Sequence, residues 1–151
     1  MACLPWEQVR ELNQNVRVVI LSDIHANLEA FQAVLEHAQT YGSVDVVWCC
    51  GHIVGYGPDA GPCIDLLASL PHLTVAGNHD LAAVRAIGLE RFNPLAAAAL
   101  PWTTAQLTSA HQAWPLGLPS TVAQGSFALV HGGPLEPVWD YVLPGVTHAP
   151  K

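Results

Sequence analysis

The chain has 151 residues, of which 51% are hydrophobic and only 11% are charged. This composition excludes a disordered or fibrous protein and fits one globular domain with a sizeable core. Five Lys and Arg residues stand against 12 Asp and Glu residues, and the formal net charge at pH 7 is −7. Nucleic-acid binding is therefore not expected, because it needs clustered basic side chains. An anion bound by this chain has to be held through a metal ion or through backbone N–H groups.

The location of the protein is predicted from its apolar runs, its first residues and its cysteines. No apolar run reaches the 18 residues of a membrane span, and the first residues lack the basic and apolar regions of a signal peptide. There is no Cys-x-x-Cys pair, so the cysteines are expected to be reduced thiols. We therefore expect a cytoplasmic protein that does not bind membranes. Residues 1–15 are interpreted as an N-terminal extension and residues 16–151 as one domain.

Taken in chain order, apolar runs alternate with helical patterns. The predicted strands are residues 16–21, 44–50, 73–75 and 126–130. The predicted helices are residues 28–38, 62–70, 81–87 and 95–113. The first strand is nearly continuous in apolar residues, which is typical of a strand buried on both faces. Asn27 is the expected N-cap of the first helix, and Pro101 is expected to interrupt the last one. This alternation predicts an α/β domain in layers, with helices flanking a sheet.

Each of the four predicted strands is followed by polar side chains that can bind a metal. They are Asp23 and His25, His52, Asn78 and His79, and His131. Because the carboxyl ends of strands in an α/β sheet share one edge, we expect these side chains to converge. Such a ligand set suits Mn, Fe, Zn, Co or Ni. Two of these ions, about 3.5–4 Å apart, form a clamp for phosphoryl transfer.

Four sequence blocks, in this order, resemble the signature of the calcineurin-like metallophosphoesterase family. The blocks are Asp23-Ile24-His25, Gly51-His52-Ile53-Val54-Gly55-Tyr56-Gly57-Pro58, Gly77-Asn78-His79-Asp80 and His131-Gly132. The likeness is greatest to the compact bacterial phosphodiesterase and phosphatase branch, and it covers about residues 16–144. It implies a metallophosphoesterase-like sheet with flanking helices. It also implies hydrolysis of a small phosphodiester or phosphomonoester by hydroxide generated at one or two divalent transition metals.

The resemblance implies a role for each matching position. Asp23 and His25 would bind the first metal, and Asn78 and His131 would bind the second. His79 would donate a proton to the leaving group. Asp80, its neighbour in the chain, would orient His79.

Two positions depart from the family pattern. His52 stands where the family has an Asp that bridges the metals, and it is either a metal ligand or an inactivating replacement. Val146 stands where the family has the first His of a Gly-His-Thr-His block, although His148 remains as a further ligand candidate. The alternative function is therefore a catalytically impaired metal-binding or scaffold protein on the same fold. The family's closing C-terminal strands are absent from the sequence, which predicts an uncovered sheet edge and a homo-oligomer.

Overall fold

The structure is a computed structural model that describes residues 16–141. The predicted extension (residues 1–15) and His148 lie outside the described residues. The strands are β1 (Val18–Leu21), β2 (Val46–Cys49), β3 (His72–Thr74), β4 (Thr121–Gln124) and β5 (Phe127–Val130). The helices are α1 (Leu28–Gln39), α2 (Ala60–Ser69), α3 (Asn78–Ala83), α4 (Pro94–Gln106) and α5 (Ser109–Leu116). No helix in the described part is long and apolar enough to cross a membrane.

A parallel sheet of three strands, in the order β1-β2-β3, forms the centre of the domain. In its register, Val18 lies opposite Val46 and Val47 lies opposite His72. All four residues of β2 are buried, as the apolar run predicts. The prediction that β1 is buried on both faces is wrong, because Ile20 is 66% exposed. The reason is that Ile20 borders an open apolar groove, shared with Trp48 and Phe127, on the face of the sheet that the β4–β5 hairpin covers only in part.

The two faces of the sheet are covered by different layers. Helices α1, α2 and α4 pack on one face, where Phe31, Leu67 and Leu100 form a core with Val47 and Cys49. The other two residues of β2, Val46 and Trp48, point to the opposite face, where they pack with Leu129 of β5. Side chains that alternate between faces thus build two cores from one strand. The predicted layered α/β fold is confirmed.

The fourth predicted strand is present but belongs to a different sheet. Residues Phe127–Val130 pair antiparallel with Thr121–Gln124 in a hairpin, rather than joining the parallel sheet. The two-residue turn between them contains Gly125 at φ +60°, a conformation that glycine adopts readily. The expectation that all four strands end at one edge of a single sheet is therefore wrong. His131 follows β5 and approaches the site from the hairpin side.

Some helices begin or end at residues other than those that the apolar pattern predicts. The Asn27 side chain accepts the Ala30 N–H at 3.0 Å, which confirms it as the N-cap of α1. Helix α3 begins at Asn78, inside the Gly-Asn-His-Asp block, rather than at residue 81. The predicted helical region 95–113 is two helices, and Pro101 lies within α4 without ending it.

Candidate metal centre

Two loops that run side by side carry the first three predicted ligands. The loop after β1 continues to pair with the loop after β2, since the His25 N–H donates to the His52 carbonyl at 2.8 Å. The Asp23 N–H likewise donates to the Gly51 carbonyl at 3.1 Å. Asp23, His25 and His52 have φ values of 57°, 50° and 56°, in the left-handed region that residues other than glycine rarely adopt. Backbone strain of this kind concentrates at functional sites.

A buried carboxylate holds the second of these loops in place. Asp80 is completely buried, and its Oδ2 accepts the N–H groups of His52 at 2.8 Å and Gly77 at 2.9 Å. Its Oδ1 accepts the N–H groups of Ile53 at 2.8 Å and Val54 at 3.1 Å. Burial raises the pKa of the Asp80 carboxyl, and these N–H groups oppose that effect. None of the four bonds goes to His79, which Asp80 was expected to orient, so its observed contacts are those of a loop anchor.

Asp23, His25 and His52 form a compact set of metal-ligating atoms. Their ligand atoms all lie within 4.8 Å of one another. The Oδ1 atom of Asp23 is 2.8 Å from Nδ1 of His52 and 3.5 Å from Nε2 of His25. Hydrogen bonds from these two rings hold the pKa of the Asp23 carboxyl well below its usual range. Two ligands at about 2.0–2.2 Å from one ion lie roughly 3–3.5 Å apart, so this set fits a divalent transition metal.

Asn78 and His131 complete the cluster on the other side of His52. The Nε2 atom of His52 is in hydrogen-bond contact with Oδ1 of Asn78. The His131 ring centroid lies 3.7 Å from the His52 ring centroid. The structure therefore brings together all five expected ligands that fall within the described residues.

Backbone carbonyls orient two of the histidine rings. Nδ1 of His25 is 3.3 Å from the Val54 carbonyl, and Nδ1 of His131 is 2.8 Å from the Cys50 carbonyl. A carbonyl oxygen only accepts hydrogen bonds, so Nδ1 of His131 carries the proton and its Nε2 keeps a lone pair. Metal-binding histidines are oriented in this way. The orientation of the His131 ring therefore supports its fit to a metal ion.

His79 lies against the metal-ligand cluster. Its ring centroid is 4.6 Å from that of His52 and 4.9 Å from that of His25. Its Nδ1 is buried and has no hydrogen-bond partner among the described residues. Gly55, at φ +96°, permits this packing, because a Cβ there would lie 2.3 Å from Nδ1. Burial lowers the pKa of His79 to about 3.

Two tyrosines at the site were not predicted from the sequence. The Tyr56 ring lies 4.8 Å from the His79 ring, and its hydroxyl accepts a hydrogen bond from Asn93 at 3.2 Å. Tyr56 stands inside the Gly-Tyr-Gly segment of the second sequence block, so its position in that block could have indicated that it lies at the site. The Tyr141 hydroxyl accepts a hydrogen bond from the Asn78 amide at 3.4 Å. No local pattern marks Tyr141, which reaches Asn78 from 63 residues away.

Two cavities share Asp23 in their walls. One, of about 290 Å³, is bounded by His131 and by residues 138–141, including Trp139 and Tyr141. The other, of about 580 Å³, is bounded by His25, Glu29 and the Tyr56 loop. Neither cavity has a Lys or Arg in its wall, within the part of the chain that the structure describes.

Arg91 packs against a wall of the first cavity and is already paired with an acidic side chain. Arg91 forms an ion pair with Glu136 at 2.6 Å, and its guanidinium lies 4.4 Å from the centre of the Trp139 ring. These contacts hold the Trp139 ring in the cavity wall, and the charge of Arg91 is paired with that of Glu136. Within the described residues, the walls of both cavities therefore offer no Lys or Arg charge to a phosphate.

Comparison with known proteins identifies the class of this site. Residues 16–148 match the family model of the calcineurin-like phosphoesterases. The chain therefore belongs to the calcineurin-like phosphoesterase family, as the four sequence blocks predict. The match includes every expected ligand from Asp23 to His131, and it ends at His148, which the structure does not describe.

Three relatives illustrate the range of the family around this chain. The crystal structure of a metallophosphoesterase from Sphaerobacter thermophilus has a TM-score of 0.72 and 43% identity, covering 85% of this chain and 52% of that one. An uncharacterised protein of Methanocaldococcus jannaschii is 33% identical over 132 residues, which are 84% of this chain and 54% of the relative. A symmetrical bis(5'-nucleosyl)-tetraphosphatase of Psychromonas ingrahamii is 38% identical over 64 residues, 41% of this chain and 23% of the relative. The chain spans about half the length of the first two.

Proposed function

We propose that this protein is a metal-dependent phosphoesterase that hydrolyses small phosphodiesters or phosphomonoesters. The observation that carries the proposal is the convergence of five metal-ligating side chains around His52, beside the buried ring of His79. A divalent cation bound there would supply the positive charge that stabilises a phosphoryl group and acidifies water. The chain has few basic side chains to provide that charge itself.

The described side chains divide the remaining work between them. Asp23 and His25 would hold the cation, and the Val54 carbonyl, 3.3 Å from Nδ1 of His25, orients that ring. The His79 ring contacts the ligand histidines, and its pKa is lowered to about 3 in the ligand-free chain. The negative charge of a bound phosphoryl group would raise that pKa, so that His79 could pass a proton to the leaving oxygen. Asp80 keeps the His52 loop in position through its four backbone hydrogen bonds.

The two cavities favour a diester, or a related substrate substituted on both sides of the phosphorus. A phosphoryl group at Asp23 would border both cavities, one lined by Tyr56 and Pro58 and one lined by Trp139 and Tyr141. Aromatic rings in both walls suit flat, uncharged substituents. The likeness to a bis(5'-nucleosyl)-tetraphosphatase also supports a substrate with two substituents, since that name describes a substrate with a nucleoside at each end.

A second function is favoured by the His52 side chain. This ring touches both Asp23 and Asn78, two side chains that would otherwise face metal ions. A protein in which His52 displaces an essential ion would bind metal and perform no hydrolysis. The alternative is therefore a catalytically impaired metal-binding or scaffold protein.

One experiment tests both functions. The purified chain is loaded separately with Mn, Fe, Zn, Co and Ni, its metal content is measured, and hydrolysis of bis(p-nitrophenyl) phosphate and p-nitrophenyl phosphate is followed. We expect turnover with at least one metal, faster on the diester, and loss of turnover in Asp23→Asn but not in the helix-surface control His37→Ala. Bound metal with no turnover on any substrate would support the impaired protein instead. Failure to bind any metal would contradict both functions.

A further inference from the structure

The His52 ring separates the metal-ligating atoms into two sets. The first ligand set is Asp23, Nε2 of His25 and Nδ1 of His52. The second ligand set is Oδ1 of Asn78, the His131 ring and Nε2 of His52. The family pattern places a carboxylate at position 52, where this chain has an imidazole.

An imidazole cannot hold two metal ions as close together as a carboxylate can. Ions that share one hydroxide lie about 3.5–4 Å apart. With metal–nitrogen bonds of about 2 Å at both ring nitrogens, the two ions would instead be about 6 Å apart. That separation is too long for one hydroxide to span, and both ring N–H protons would have to be removed.

The two nitrogens of His52 face different surroundings. Its Nδ1 lies 2.8 Å from Oδ1 of Asp23, and Nε2 of His25 lies 3.5 Å from the same oxygen. Its Nε2 contacts Oδ1 of Asn78, whose amide nitrogen donates to the Tyr141 hydroxyl. An ion on the Nδ1 side would therefore meet a carboxylate and two imidazoles, whereas an ion on the Nε2 side would meet an amide and the His131 ring.

The two sets also differ in charge. The first contains the Asp23 carboxylate, whose Oδ1 lies 2.8 Å from Nδ1 of His52 and 3.5 Å from Nε2 of His25. The second contains only the neutral Asn78 amide and the His131 imidazole as its own ligands. A divalent cation is bound more strongly where a carboxylate offsets its charge.

We propose that this protein binds one divalent metal ion per chain, at Asp23, His25 and Nδ1 of His52. The Nε2 edge of the His52 ring, in contact with Asn78, occupies the place of a second ion. This inference rests on the proposed metal-dependent function and specifies its cofactor stoichiometry. The phosphoryl group then meets a single cation, and the second ligand set acts through hydrogen bonds.

The test is the metal content and electron paramagnetic resonance spectrum of the full chain loaded with Mn²⁺. We expect one Mn²⁺ per wild-type chain, with the six-line spectrum of an isolated ion. His52→Asp restores a carboxylate bridge and raises the content to two, with a spin-coupled spectrum. The matched control His37→Asp, at an exposed position on α1, stays at one. Asn78→Ala also stays at one, because Asn78 belongs to the second ligand set, and this variant answers the question if His52→Asp does not fold.

The outcomes separate this inference from the proposed function. Two spin-coupled ions in the wild-type chain, or loss of the single ion in Asn78→Ala, would overturn the one-metal inference and leave the phosphoesterase proposal in place. One isolated ion without hydrolysis of any phosphoester would support the inference and contradict the enzyme. No bound Mn²⁺ in the wild-type chain would overturn the inference, and loading with the other metals would then decide the proposed function.

Discussion

The carboxylate of Asp80 accepts the backbone N–H of His52 at 2.8 Å, although 28 residues separate them. The same carboxylate receives three further backbone N–H groups, from Gly77, Ile53 and Val54. The block that supplies Asn78 and the loop that supplies His52 are thus joined through one buried side chain. This link fixes how the His52 ring is presented to the other ligands.

Replacing Asp80 with Asn should therefore damage both stability and metal binding. The amide offers one oxygen in place of two and turns an N–H₂ group toward backbone N–H donors. We expect the free energy of unfolding to fall by about 2–4 kcal/mol, measured by urea denaturation. Asp59→Asn is the control, because Asp59 makes no side-chain cap bond at the start of α2, and we expect a loss below about 1 kcal/mol there. Equal losses in the two variants would contradict the anchor role.

Much of the fold and site could be predicted because the informative residues are local in sequence. Strand β2 is a continuous apolar run, and Asn27 stands directly before a helical pattern. The expected ligands follow predicted strands, so their convergence at a sheet edge was predictable from topology. His131 is the instructive exception, since it reaches the site although β5 lies outside the parallel sheet.

The remaining contacts depend on geometry that no short pattern contains. Asp80 follows His79 directly, yet both lie in α3, where consecutive side chains point about 100° apart. Adjacent helical residues do not face each other, and for that reason Asp80 bonds to the His52 loop rather than to His79. Tyr141 reaches Asn78 through the path of the chain after β5, which sequence spacing does not reveal.

His79→Ala should slow hydrolysis most where the leaving group needs a proton. On a diester with an alkyl leaving group, we expect kcat to fall roughly 10²–10⁴-fold. On a p-nitrophenyl ester the loss should be far smaller, because that phenolate leaves without protonation. The control His37→Ala should change neither rate. A loss of the same size on both substrates would show that His79 acts by packing against the ligand rings instead.

Tyr56 is expected to act on substrate binding through its ring. The side chain is 45% exposed at the larger cavity, and its ring packs 4.9 Å from that of His25. Tyr56→Ala should raise KM for aryl phosphodiesters roughly 2- to 13-fold, since an aromatic contact contributes about 0.5–1.5 kcal/mol beyond its buried area. Tyr56→Phe keeps the ring and loses only the hydrogen bond to Asn93, so its KM should stay close to that of the wild type. An equal rise in both variants would assign the effect to the hydroxyl.

The buried thiols predict a pH dependence. Burial raises the pKa of both Cys49 and Cys63 to about 12, so their thiolate fraction at pH 8 is far below that of an unfolded chain. Iodoacetamide should modify them at least about tenfold more slowly in the native protein than in urea, measured by peptide mass spectrometry. Because the folded-state pKa is raised, the stability contributed by the neutral thiols is present below pH 9 and is lost between pH 9 and 12. Native and unfolded rates that agree would contradict this burial.

Finally, the edge strand β1 predicts self-association with a second copy of the chain. Its outer backbone groups pair with no described strand, and Ile20 is 66% exposed. Beside it, Val18, Trp48 and Phe127 line an apolar groove of about 490 Å³. An uncovered edge next to an apolar groove favours pairing between copies. Light scattering should show a dimer or larger species for the wild type and a shift toward monomer for Ile20→Lys, whereas Leu95→Lys, at an exposed position on α4, should behave as the wild type. A wild-type mass of 16.1 kDa at all concentrations would contradict this prediction.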